Sequence, residues 1–269
     1  MTDDGPALEH YGKHTFEELQ AQLAFASNNM LSDELSLRDA GPWYEEFTDA
    51  MRAHALLWLL VDADPHTCFR DLTLSGQVRR HFLRRSQREK SVHCFNASSR
   101  IEPFFDAVAA ESLDVARDIA ALTPTTWLAK DEYEDDFCYA RFLYGFLGSK
   151  TVGKPAADLA PLLDRFEGAL DGAESPRLDL CRALVGRDQD EFDEAFDALV
   201  DERQEQVEER RAETNPVLLL DGQVFVEGLA LLRIAKDIGL RTRTEYPGCP
   251  RLARTRSRVG ELPDTLPPP

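Results

Sequence analysis

This chain lacks the short motifs by which most enzymes can be recognised. It has no GxSxG elbow for a nucleophilic serine, no GxxxxGK[ST] phosphate loop and no HExxH zinc pair. The six histidines all fall within the first 93 residues and lack ligand spacing; His10 and His14 are four apart, but Gly12 interrupts them. Glu17-Glu18 and Glu45-Glu46 are adjacent pairs, and adjacent residues on a helix diverge, so neither pair makes an acid–base dyad alone. No catalytic residue, metal site or cofactor is expected. Cysteine is sparse and odd in number: Cys68, Cys94, Cys138, Cys181 and Cys249 contain no CxxC pair, so neither a zinc site nor a disulfide framework is suggested. His93-Cys94 could be a reactive pair, although incidental thiols are far commoner.

Long apolar runs are missing too. The longest of note, ALLWLLV (Ala55–Val61), stops at Asp62, well short of the roughly 20 residues a bilayer span needs. The N-terminus MTDDGPALEH lacks the basic-then-apolar order of a secretory signal, so a soluble, cytoplasmic protein is expected. Lysine is the scarcest charge: six lysines stand beside 25 arginines, and the formal net charge is −18 with a pI near 4.7. Such a surface repels nucleic acid phosphates and attracts basic proteins. Adaptation to high internal salt or a GC-rich genome produces the same bias, so bulk acidity alone identifies no partner.

What is present is helical periodicity, nearly everywhere along the chain. Thr15 and Glu18 have capping-box spacing ahead of an apolar stripe, Phe16, Leu19 and Leu23. A second helix is expected from Pro42 to about Val61, and a third after Asp64-Pro65. A helical hairpin follows, closed by Thr123-Pro124. Asp131 and Glu134 then offer a capping box for an aromatic helix ending at Gly148, with Tyr133, Phe137, Ala140, Tyr144 and Leu147 on one face. Further helices are expected over 155–170, 175–186, 189–213 and 222–239. Strand signals are scarce; VLLL at 217–220 is the one run that fits either state. The expected fold is all-α: an array of about ten helices in antiparallel pairs, either an irregular bundle or a solenoid-like stack. Its expected limits are a mobile N-terminus over 1–14, one domain over 15–247 and a flexible Pro- and Arg-rich tail over 248–269.

Three charged clusters stand out. Asp131, Glu132, Glu134, Asp135 and Asp136 put five carboxylates into six residues, more than a helix dipole requires. Asp190, Glu191, Asp193, Glu194 and Asp197 lie beside a narrow apolar edge formed by Phe192, Phe196, Leu199 and Val200. Each acidic cluster is either a plain solvated face or a surface for a basic partner. The third, RRHFLRRSQREK (Arg79–Lys90), is basic. It has too few aromatics for a nucleic-acid platform and better suits neutralisation of neighbouring carboxylates.

The segments LVGRDQDEFDEAFDALVDERQEQ and FVEGLALLRIAKDIGLRTRTEYPGCPRLA resemble the immunity protein 49 family of polymorphic toxin systems. The residues that carry the resemblance are Asp190, Phe192, Ala198 and Leu199; then Leu231, Leu232, Ala235, Gly239 and Leu240; then Tyr246, Pro247 and Pro250. AAESLDVARDIAALTP, Trp127 and the DEYEDD helix resemble the family's helical pairs, so the similarity covers about 40–250 with its weight in the C-terminal third. YPGCP departs from the family's tighter Tyr-x-Pro spacing. The resemblance implies a cytoplasmic, all-α antitoxin with no catalytic residues, which binds and blocks a cognate toxin domain. A toxin with a basic surface, such as a nuclease, would gain fast encounter with an acidic blocker. Affinity would then come from aromatic anchors beside the acids, Trp127, Tyr133 and Tyr139, unless these are ordinary core residues. Two other classes stay open: a helical-repeat scaffold of the tetratricopeptide type, and an enzyme with carboxylates and histidines converging inside a bundle.

Overall fold

A computed structural model describes residues 5–32, 34–148, 159–210 and 215–254, and every regular element among them is helical. Three long helices come first: α1 (Gly5–Met30), α2 (Leu37–Val61) and α3 (Pro65–Glu89). Shorter ones follow as α4 (Glu102–Ala109), α5 (Leu113–Leu122), α6 (Glu134–Gly148), α7 (Ala160–Ala169) and α8 (Pro176–Gly186). The chain then forms α9 (Gln189–Glu209), α10 (Pro216–Gln223) and α11 (Val226–Asp237).

Local chemistry explains where these helices start, and where they differ from the sequence expectation. Ser36 caps α2 by accepting from the Asp39 amide at 3.2 Å, so the helix begins before Pro42 and contains it. Pro42 is tolerated because its missing N–H deprives only the carbonyl of Arg38, and both residues are exposed to water. Thr15 does not cap a helix; it is buried within α1, which is already helical from Gly5 and so runs through the expected boundary at residue 14. Asp64 caps α3 as expected, accepting from the amides of His66 and Thr67. The helix expected over 222–239 is broken at Val224-Phe225. There the Phe225 amide donates to the Gly248 carbonyl at 2.7 Å. Gly228 permits this docking: a Cβ there would meet the Phe225 ring at 2.4 Å and Cys249 Sγ at 2.8 Å. VLLL is helical, in α10. The first part of the helix expected from 155, the end of the one expected to 213, and most of the expected tail lie outside the described residues. Of that tail, residues 251–254 form a short 3₁₀ turn with Cys249 and Ala253 buried.

The stacking order decides between stack and bundle. A solenoid repeat touches only its neighbours. Here α1 packs on α2, α2 on α3, and α3 on both α4 and α5, but α10 returns to α2 and α11 to α4. The chain therefore closes on itself as an irregular bundle around one continuous core. The short helix α4 sits near its centre, buried from Pro103 to Ala109. Aromatic rings fill the layers on either side. Phe104 meets Tyr144 edge-on at 5.0 Å, and Phe192 stacks with Phe196, which meets Tyr246 at 5.0 Å.

An ion pair is sealed inside this core. Asp106 of α4 is almost wholly buried, accepts from Arg52 Nε at 2.7 Å and from Ser75 Oγ at 2.6 Å, and so joins α2, α3 and α4. Removing one member of such a set strands the others in a dry interior. Asp106→Ala should cost about 3–5 kcal/mol in urea unfolding at pH 7. The double variant Asp106→Leu with Arg52→Met should recover part of that loss, because no charge is then left stranded.

Candidate partner-binding surface

The five carboxylates around the start of α6 divide into tied and free. Glu132 belongs to the fold: its two oxygens accept from the amides of Leu128 at 3.0 Å and Ser99 at 2.9 Å. Glu134 pairs with Arg165 at 2.7 Å, and Asp136 with Arg177 at 3.3 Å. Burial raises the Asp136 carboxyl above the ordinary range, with Arg177 pulling it back. Asp131 and Asp135 make no ion pair among the described residues. The excess of acid over capping needs is thus largely internal pairing, which nothing in the local sequence spacing indicated.

The three aromatic anchor candidates separate as well. Tyr139 is only 2% exposed and donates its hydroxyl to Glu227 Oε1 at 2.7 Å; burial pushes its own ionisation well up. It is a core residue. Trp127 is half-buried, with Nε1 donating to the Glu132 carbonyl at 3.1 Å and the Arg165 guanidinium over its ring at 5.5 Å. Tyr133 precedes the helix rather than lying on its buried face, and is 79% exposed. Of the three, it alone is available at the surface.

On α9 the acids make a different pattern. Phe192, Ala195, Phe196, Leu199 and Val200 are buried, and opposite them Asp190, Glu194, Asp197, Asp201, Glu205 and Glu208 recur every three or four residues. At 1.5 Å per residue this carboxylate ridge runs for about 27 Å. Asp197 is held by Arg243. Asp190, Glu191, Glu194, Asp201 and Glu205 make no ion pair among the described residues. Asp193 is turned aside and bonds Gln189 at 3.1 Å.

The basic run Arg79–Lys90 is absorbed by the fold. Arg79 donates to the carbonyls of Phe95 at 2.6 Å and Ala97 at 3.2 Å; Arg80 and Arg84 reach Asp118 at 3.3 and 2.9 Å; Arg85 pairs with Glu89 at 2.7 Å. Arg88 and Lys90, at its C-terminal end, are exposed and make no ion pair among the described residues.

A cleft of about 320 Å³, lined from α4, α6, α8, α9, α10 and α11, opens beside a recess of about 230 Å³. Ionisable groups do converge here, but mostly in pairs. Arg177 meets Glu227 at 3.1 Å, Arg203 meets Asp221, and Arg52 meets Asp106 behind the wall. Neither histidine nor cysteine lines the cleft. Four of the five thiols, those of Cys68, Cys138, Cys181 and Cys249, are raised by burial, Cys138 up to about 11. Among the described residues no group of three His, Cys, Asp or Glu is arranged to hold a metal.

A family model for immunity protein 49 matches residues 17–253. The chain belongs to the immunity protein 49 family. No curated protein and no solved structure matches it. The family match spans nearly the whole chain, so the weight given to the C-terminal third is corrected. The motifs there are conspicuous because they are packing residues: Phe192, Leu231, Ala235 and Tyr246 are all buried, and Gly239 takes a φ of +94° at the end of α11. No helix among the described residues is long and apolar enough to cross a membrane.

Two tyrosine variants test this division between core and surface. Tyr139→Phe should lower stability by about 1 kcal/mol, the net value of one buried hydrogen bond. Tyr133→Ala should change it by no more than about 0.5 kcal/mol. Thermal or urea unfolding of each checks both.

Proposed function

We propose that this immunity protein 49 family member is a non-catalytic, cytoplasmic antitoxin that binds a cognate toxin domain and covers its basic working surface. The observation that carries the reading is the carboxylate ridge of α9, on which Asp190, Glu194, Asp201 and Glu205 make no ion pair among the described residues, in a family whose members are immunity proteins. A ridge about 27 Å long exceeds the Debye length of about 8 Å in physiological salt. It therefore acts as an extended strip, and a toxin with a nucleic-acid-binding surface presents a matching strip of cations. Tyr133, with Asp131 and Asp135 beside it, supplies a second contact point with an amphipathic ring for affinity. Of the carboxylates lining the cleft, Asp136, Glu227 and Asp221 are matched to arginines, and neither histidine nor cysteine stands beside them as an acid–base partner.

Neutralising Asp190, Glu194, Asp201 and Glu205 to the corresponding amides should slow association with the toxin about tenfold or more at low salt and flatten its ionic-strength dependence. The same loss should follow Asp131→Asn with Asp135→Asn if the start of α6 also docks; Glu132 and Asp136 are left unchanged because they hold the fold. Stopped-flow or surface-based kinetics measures both. An unchanged rate would make these acids mere solvated surface, as salt adaptation predicts. Co-expression tests the larger claim: a neighbouring toxin-like gene that still kills cells making this protein would overturn the antitoxin reading.

A further inference from the structure

The recess between the N-terminal half of α2, α3 and the start of α4 holds opposite charges that do not all meet. It encloses about 240 Å³, and three carboxylates (Glu45, Asp49 and Glu102) and two guanidiniums (Arg79 and Arg100) line it. Glu45 and Arg100 are paired with each other. Asp49 and Glu102 make no ion pair among the described residues, and both are exposed, at the rim. Arg79 is only 6% exposed and makes no ion pair among the described residues either.

The other polar groups of the wall are already matched. Thr48 donates its hydroxyl to the Glu45 carbonyl at 2.9 Å, and the Tyr44 hydroxyl meets His81 Nδ1 at 2.9 Å. Arg79 donates from its terminal nitrogens to the carbonyls of Phe95 and Ala97, but its Nε is enclosed with no hydrogen-bond partner. Those carbonyls orient the guanidinium without supplying a counter-charge, and a buried ion without one is costly. Arg52, whose field reaches Asp49, is tied to Asp106 at 2.7 Å and to Asp221 at 3.8 Å. Although Asp49 is open to solvent on one side, the protein around it lifts its carboxyl to about 6, with Arg52 pulling it down and Glu102 adding to the rise. The rest of the wall is aromatic, from Tyr44, Phe82 and Phe95. Phe95 lies so close on Gly41 that a Cβ there would meet its ring at 2.2 Å.

We propose that this pocket binds a free basic amino acid, its carboxylate toward Arg79 and its two cationic groups toward Asp49 and Glu102. Charges of both signs line one cavity without touching, so a molecule that carries both signs joins them through charge-assisted hydrogen bonds. Three acids against two bases leave the pocket one negative charge, and a ligand with one carboxylate and two cations brings the matching positive charge. The aromatic wall suits an alkyl stem and a cation lying over a ring. A volume of about 240 Å³ is below that of pockets for drug-sized ligands and suits so small a molecule. The site shares no residue with the proposed toxin-docking ridge of α9.

Isothermal titration of the full chain tests it at neutral pH, with ionic strength fixed by chloride. The probes are L-arginine and L-lysine, L-citrulline, which lacks the side-chain charge, and agmatine, which lacks the carboxylate. The expected result is saturable one-site binding of L-arginine or L-lysine, about tenfold or more tighter than of citrulline or agmatine, the scale of one charge-assisted bond. Asp49→Asn and Glu102→Gln, both at exposed positions, should each weaken it about tenfold. Arg79 is left in place because it ties α3 to the 95–97 segment, and agmatine probes its end of the pocket instead. No saturable binding of either basic amino acid would overturn the proposal, as would undiminished binding by both variants. Agmatine bound as tightly as L-arginine would overturn it too, by making the recess a socket for a partner's basic side chain. None of these outcomes bears on the antitoxin reading, because the carboxylates of α9 and of the start of α6 stay in place.

Discussion

Cation scarcity governs how this molecule is assembled. With 31 basic residues for 49 acidic ones, each arginine that joins two helices leaves fewer to neutralise the outside. The described ion pairs show where they go. Arg52 joins α2 to α4, Arg165 joins α7 to α6, and Arg177 joins α8 to both α6 and α11. Arg203 joins α9 to α10, and Arg182 joins α8 to α7. Lysine takes part in none of the pairs among the described residues. Arginine suits this work because its planar fork serves two partners at once and stacks on rings. Arg177 does so, touching two carboxylates while lying 4.9 Å from the centre of the Tyr139 ring.

Bridging helices in this way leaves α9 exposed as an anionic edge. Its buried side is closed by Phe192 and Phe196, and Arg203 near its C-terminal end is committed to Asp221. Among the described residues Asp190, Glu194, Asp201 and Glu205 make no ion pair. Exposed ion pairs contribute little to stability, so leaving these acids unpaired costs the fold little. The same arrangement keeps their field intact for long-range attraction. The ridge is therefore compatible with the fold, while its length and the four acids on it that make no ion pair among the described residues are the properties that the proposed antitoxin role uses.

The helical class was legible in the sequence because period-3.6 patterning and capping residues act locally. Asp64 before Pro65 and the stripe through Phe192, Phe196 and Leu199 needed no knowledge of distant residues. The return of α10 to α2 and of α11 to α4 was not legible, because closure depends on contacts between residues more than a hundred positions apart. The same limit applies to the acids before α6. Sequence spacing presents five similar carboxylates; only the fold brings Arg165 and Arg177 to two of them and the Ser99 and Leu128 amides to a third. Tyr133 and Tyr139 differ for the same reason. The helix starts after Tyr133, so one ring is left outside while the other is carried into the core.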